Sequence, residues 1–302
     1  MVLLLLALAP AVAIIWFIYT KDTYEKEPSE LLLKSFFLGI LSIIPAIIGG
    51  NIGEAFGIGL SVNTFTTFIY AFVVVALSEE LAKFIFLRWV MFPKKAFNEP
   101  FDGIVYAVMI GMGFAAFENV MYAMQGGVVV AVLRMFTAVP AHAAFGIIMG
   151  YYVGLAKFDY LHPENRTTLL LKGLVGATLV HGAYDFFLMQ EQYEGLGVMA
   201  FVTLFLAIKF GKKAIKLHQD QSPFKDINQN ITQEEQLFVV YDKNEASNEE
   251  NTPDTVTNKI EAVQKEDEVI IPNETDFGNL PEPPNTNNND SIVPLPKDPE
   301  NT

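Results

Sequence analysis

The chain has 302 residues, 51% hydrophobic and 18% charged, with a formal net charge of −14. That charge is uneven: Met1 to His218 carries 15 Lys+Arg and 15 Asp+Glu, whereas Gln219 to Thr302 carries 5 Lys and 19 Asp+Glu. The absence of cysteine excludes thiol nucleophiles, disulfides, thiolate metal sites and iron–sulfur clusters, and leaves imidazole, carboxylate and hydroxyl groups to carry any chemistry.

A membrane-spanning helix needs roughly 20 mainly apolar residues. Seven stretches meet that condition, at 2–20, 31–50, 64–91, 103–125, 128–156, 167–190 and 194–211. The expected fold is therefore an all-α polytopic bundle of about seven to eight helices. Val2 to Thr20 lacks the basic leader of a cleaved signal peptide and reads as a retained helix. Lys21, Lys26 and Lys34 flank the first loop, Lys94 and Lys95 lie in the third, Lys157 and Arg166 in the fifth, and Lys209, Lys212, Lys213 and Lys216 close the last helix. The alternate loops 51–63, 125–129 and 190–194 hold no Lys or Arg. By the positive-inside rule the N-terminus lies outside and the C-terminus in the cytoplasm.

Two domains are expected: a helical membrane domain over 1–218 and an acidic cytosolic tail over 219–302. The tail is rich in Asn, Asp, Glu, Pro and Thr, a composition that cannot bury enough apolar surface to fold and reads as disordered. Its short apolar runs Leu237–Tyr241 and Val269–Pro272 are candidate docking segments for a cytosolic partner. His162 and His218, in polar contexts, read as solvated.

Charged groups at membrane depth cost about 2.5–3.5 kcal/mol each on insertion scales, so they default to functional candidates facing the bundle interior. Glu79, Glu80 and Lys83 fall in the third span, Glu118 in the fourth, Arg134 and His142 in the fifth, and His181 and Asp185 in the sixth. Residues four apart share a helix face, which stacks Glu79 with Lys83 and His181 with Asp185. A carboxylate on one ring nitrogen fixes an imidazole's tautomer and raises its basicity, as a metal ligand or a base requires. Adjacent Glu79 and Glu80 diverge by roughly 100°, so one of them faces a site while the other lies behind it, and spacing does not say which. Lys83 reads as their ion-pair partner, and Arg134 either snorkels to the interface or joins the site. Ala138, Gly146, Gly150 and Gly154 continue the line through His142, and Gly173 and Ala177 lead into His181, stripes that let helix backbones approach closely.

Four carboxylates, Glu79, Glu80, Glu118 and Asp185, against Lys83 and Arg134 leave two negative charges uncompensated. A divalent ion would balance them, zinc suiting imidazole and carboxylate donors, and so would protonation of two carboxylates. The signatures of other proteases are missing: there is no G-x-S-x-G elbow, no Gly-Asp pair and no H-E-x-x-H. A proton-coupled transporter and a non-catalytic scaffold or immunity protein are rival readings of the same polar set.

At these residues the chain resembles the PrsW family of intramembrane proteases, itself similar to the type II CAAX prenyl endopeptidase and bacteriocin-processing superfamily. The resemblance rests on Ser78 to Lys83 for E-E-x-x-K, Phe114 to Glu118 followed by Asn119 for F-x-x-x-E, His142 to Gly146 for H-x-x-x-G, and His181 to Asp185 for H-x-x-x-D. The loop Lys21 to Pro28 is similar to the family's first loop. The resemblance implies a membrane-embedded, metal-dependent endopeptidase that cuts a membrane-anchored protein, such as an anti-sigma factor, at the outer side of the membrane. It implies essential roles for Glu79, Glu80 and His181. His142, His181 and Glu118 are the expected metal ligands, with Lys83, Asn119 and Asp185 in support.

Overall fold

The computed structural model describes residues 1–60, 63–158, 165–190, 193 and 195–225. Of the expected tail, residues 226–302 with both apolar runs lie outside the described residues, as does His162; residues 219–225 are described, Gln219 and Asp220 ending α9 and Ser222 being buried. Among these residues the chain is all-helical. The helices are α1 (Val2–Lys21), α2 (Ser29–Leu41), α3 (Ile43–Ala55), α4 (Thr64–Ile69), α5 (Leu77–Phe86), α6 (Pro100–Phe136), α7 (Ala138–Phe158), α8 (Arg166–Leu188) and α9 (Gly197–Asp220). By length and composition Val2–Lys21, Ser29–Ala55 and Pro100–Phe158 are apolar enough to cross a membrane. The segments carrying Glu79 to Lys83 and His181 to Asp185 are made less apolar by those same groups. Outward-facing Trp16, Ile44, Phe65, Leu171 and Phe205 leave an apolar exterior, which lipid rather than water would cover. This is a membrane protein.

The span expected at 31–50 is broken in two at Ser42, three residues before Pro45, which has no N–H to give to the preceding turn. At the break, Ser42 Oγ donates to the Gly39 carbonyl at 2.6 Å. The span expected at 64–91 is one continuous rod in which α5 is flanked by π-helical segments, Tyr70–Ala76 and Leu87–Met91. Such π turns alter the register of side chains around an axis and occur frequently at functional sites.

The reversal expected at 125–129 turns at Gly127, whose φ of 71° and ψ of −160° suit glycine. The following segment does not begin the next span as expected. Residues 128–136 stay within α6 as a short folded-back arm, and α7 starts after Thr137. His142 therefore sits near the start of its helix, not in the middle.

α6 is the hub, buried along nearly all of Pro100 to Ala116 and packed by α1, α2, α7 and α9. Its approach to α7 depends on small residues. A Cβ on Gly146 would lie 3.1 Å from the Ala107 carbonyl, and one on Gly150 would strike the Gly103 carbonyl. The stripe read from the sequence is thus the α6–α7 contact. α9 runs to Asp220, beyond the expected end of its span. His218 is fully buried there, its ring stacked on Tyr151 at 4.5 Å. The solvated reading of His218 was wrong, because α6 and α7 cover this end of α9.

Candidate active site

α5 contributes Glu79, Glu80 and Lys83, α6 gives Glu118, Asn119 and Arg134, α7 gives His142, and α8 gives His181 and Asp185. All of these side chains join one polar network. Arg134 Nη2 pairs with Glu118 Oε2 at 2.7 Å, and its Nε donates to Asn119 Oδ1 at 3.1 Å. The same Glu118 oxygen lies 2.9 Å from His142 Nε2. On the other side of that ring, Nδ1 is 3.3 Å from Lys83 Nζ. Lys83 donates to Glu80 Oε1 at 2.8 Å and to Glu79 Oε2 at 3.4 Å. Glu80 Oε1 is also 2.9 Å from His181 Nδ1, while His181 Nε2 faces Asp185 Oδ2 at 3.1 Å and Glu79 Oε2 at 4.0 Å.

The burial of these groups sorts the glutamate pair. Glu79 lines a cavity of about 250 Å³ together with Glu118, Arg134, His142, His181 and Asp185. Glu80, 1% exposed, lies behind His181 among Lys83 and the helix packing. Lys83 is also enclosed, with its ammonium 4.0 Å above the Phe114 ring. Phe145 stacks on His181 at 4.6 Å, which fixes the plane of that imidazole. Asn119 reaches away from the cavity, its amide donating to the Ala7 carbonyl at 2.8 Å, and so ties the Glu118 turn to α1.

Arg134 is not a snorkelling residue: the arm after Gly127 folds it back onto Glu118 and over the Tyr122 ring at 4.1 Å. Spacing along the chain gives no such contact, because it depends on the turn at Gly127. Tyr70, Tyr122 and Tyr184 also line the cavity, contributed by three separate segments.

The donor set fits a divalent ion. Glu79, Glu80, His142 and His181 each bring one donor atom within 4.8 Å of the others, a group that does not include the expected ligand Glu118, which meets His142 Nε2 at 2.9 Å. Each imidazole also turns Nε2 toward a cavity carboxylate, His142 to Glu118 and His181 to Asp185. A cation takes the place of the proton shared in such a pair, and nitrogen with carboxylate oxygen is a zinc-type donor set. The carboxylates outnumber the two fixed cations, Lys83 and Arg134, by two.

Carboxylates, imidazoles and a cavity with room for several waters between apolar helices are what an intramembrane hydrolase needs: a base, a polarising centre and water. Comparison with known proteins gives that class its family. The family model described as PrsW family intramembrane metalloprotease matches residues 27–208. Protease PrsW of Bacillus subtilis (strain 168) is 34% identical over 217 residues, spanning 71% of this chain and 96% of that protein. Protease PrsW of Geobacillus kaustophilus (strain HTA426) is 35% identical over 196 residues, 64% of this chain and 84% of that protein. Protease PrsW of Clostridioides difficile (strain 630) is 32% identical over 225 residues, 73% and 92%. No solved structure matches the chain. The chain belongs to the PrsW family of intramembrane metalloproteases. It is a protease, which sets aside the transporter and scaffold readings.

Proposed function

We propose that the chain cleaves a membrane-anchored protein, of the anti-sigma-factor kind, near the outer side of the membrane, using a zinc ion held by His142, His181 and Glu118. The observation that carries this reading is the cavity in which Glu79 and both imidazoles face the same space. When bound, zinc lowers the pKa of a water toward about 7 and polarises the peptide carbonyl.

Glu79 is the general base: it lines the cavity and its Oε2 lies 4.0 Å from His181 Nε2, within one water of the metal-binding side of the ring. Glu80 acts from behind by accepting from His181 Nδ1, which leaves Nε2 for the ion. Lys83 compensates the glutamate pair. Asn119 with Arg134 holds Glu118, while Asp185 Oδ2, which faces His181 Nε2, would meet the ion's own shell once that nitrogen holds zinc. Arg134, a cationic donor lining the cavity, also stabilises the oxyanion that forms on the peptide carbonyl.

The N-terminus lies outside and the acidic tail that follows α9 is cytoplasmic, its two apolar runs serving as candidate docking segments for a cytosolic partner. The loop charges support this topology. It puts Glu118, in the second half of an inward-to-outward helix, in the outer half of the membrane.

The test is cleavage of a single-span reporter by the full chain in proteoliposomes. Two fragments should form with wild type and disappear with Glu79→Gln, His181→Ala or a zinc chelator. A Glu79→Gln protein that folds and cleaves at the wild-type rate sinks the assignment of the base.

A further inference from the structure

A second group of buried carboxylates stands at the opposite end of α6, where the loop between α1 and α2 meets the α6 N-terminus. Asp102, three residues past the N-cap, accepts the backbone N–H groups of Asn98 and Glu99 on Oδ2 at 2.7 and 2.9 Å. Glu27 accepts the Tyr106 hydroxyl on Oε2. Asp22 accepts the Glu27 backbone N–H on Oδ2 at 3.2 Å. These bonds satisfy one oxygen of each carboxyl. The other oxygens, Asp102 Oδ1, Glu27 Oε1 and Asp22 Oδ1, are buried and receive no hydrogen-bond donor, Glu27 and Asp102 lying carboxyl to carboxyl, and Glu25 Oε2 is buried without a donor as well. Asp22 and Asp102 are fully buried and Glu27 is 3% exposed, a state in which an unpartnered carboxylate oxygen is costly.

The local cations, Lys26 near Asp22 and Lys157 near Glu27 and Asp102, act on this charge only through space, their ammonium protons being given to backbone carbonyls. Lys26 donates to the Tyr19 and Asp22 carbonyls, and Lys157 donates to the Phe92 and Lys94 carbonyls at 2.6 and 2.9 Å. Glu99, which accepts from the Ser222 hydroxyl, adds a further acid to the neighbourhood. Burial pushes the Glu27 and Glu99 carboxyls up to about 7 and Asp22 up to about 6, the response of acids whose loss of water outweighs the positive charge near them.

Glu25, Glu27 and Asp102 each direct one oxygen into a common space, all within 4.8 Å of one another. We propose that these three residues form a second cation site, for a hard, oxygen-preferring divalent ion of the Mg²⁺ or Ca²⁺ type, that fastens the first loop to the α6 N-terminus. Its donors are all oxygen, which suits hard cations and not zinc. Half-buried Glu25 gives the ion a way in from solvent. Asp102 and Glu118 are both on α6, sixteen residues apart and so separated by roughly 24 Å of helical rise, which makes this site independent of the His142–His181 centre.

The test uses Mn²⁺ as a paramagnetic probe, titrated into the purified full chain and followed by the loss of the free-ion EPR signal. One Mn²⁺ should bind per chain, be displaced by Mg²⁺ or Ca²⁺, and bind equally well to the His181→Ala protein. Glu27→Gln should weaken it at least tenfold. Glu25→Gln, at a half-buried position outside the α6 capping bonds, should weaken it too without endangering the fold. No binding up to about 1 mM, the weak end of natural oxygen-donor sites, or equal affinity in wild type, Glu25→Gln and Glu27→Gln would overturn the proposal and leave a shared proton as the cluster's compensation. Binding lost with His181→Ala but kept in both glutamate variants would place the ion at the other centre and equally overturn it.

Discussion

Glu80 Oε1 lies 2.9 Å from His181 Nδ1 and 2.8 Å from Lys83 Nζ, so a single buried oxygen holds an imidazole and a cation together. Glu79, its neighbour in the chain, instead faces the cavity. The two glutamates are therefore expected to fail differently. Glu80→Gln should weaken metal binding 10- to 100-fold, the usual cost of losing an outer carboxylate from a ligating histidine. Glu79→Gln should keep the metal and lose cleavage by at least about 100-fold, the low end for a general base. Metal titrations beside single-turnover cleavage separate them.

Arg134 reaches Glu118 with one nitrogen and Asn119 with another. Lysine has no planar fork and cannot reproduce both contacts. Arg134→Lys should therefore lower cleavage about tenfold or more, in line with other outer contacts to a metal ligand, while the protein remains folded by circular dichroism. Wild-type activity in Arg134→Lys would make the two-point contact incidental.

Tight packing of α6 on α7 gives a stability prediction away from the chemistry. A Cβ at Gly150 meets the Gly103 carbonyl and the Ile104 Cα, backbone atoms that cannot turn aside, whereas one at Gly50 meets nothing within 4 Å. Gly150→Leu should destabilise the protein by about 3 kcal/mol or more, at or above the usual cost of overpacking, and Gly50→Ala should be close to neutral. Thermal unfolding in detergent reads both.

Much of this site was legible because it depends on local spacing. The i to i+4 relation of His181 and Asp185, and the rule that intramembrane charges gather inside the bundle, select its members from the sequence alone. What spacing does not encode is which of two adjacent glutamates faces the cavity, since α5 lies between two π segments that alter its register. The Arg134–Glu118 pair depends on the Gly127 turn, and the burial of His218 depends on Tyr151 and Pro100 from distant helices. The Glu25, Glu27 and Asp102 cluster is equally non-local: the three acids lie in polar contexts in the sequence and become buried only when the first loop folds over α6.

His218 provides a pH test. Burial pushes its imidazole down to about 4, against about 6.5 when unfolded. The unfolded chain then binds the extra proton between these values, so the stability associated with the neutral ring is complete above pH 6.5 and declines as pH falls toward 4, by at most about 3 kcal/mol. His218→Phe, which can keep the stack on Tyr151 but cannot titrate, should lose less stability than wild type across this window. Parallel stability curves for the two proteins would contradict it.

The most direct test of the central claim is the zinc content of the purified full chain by elemental mass spectrometry, for wild type, Glu79→Gln and His181→Ala side by side. The account predicts near-stoichiometric zinc in wild type and Glu79→Gln, and its loss in His181→Ala. Zinc retained in full by His181→Ala, or absent from wild type prepared without chelators, would contradict a metal centre built on His181.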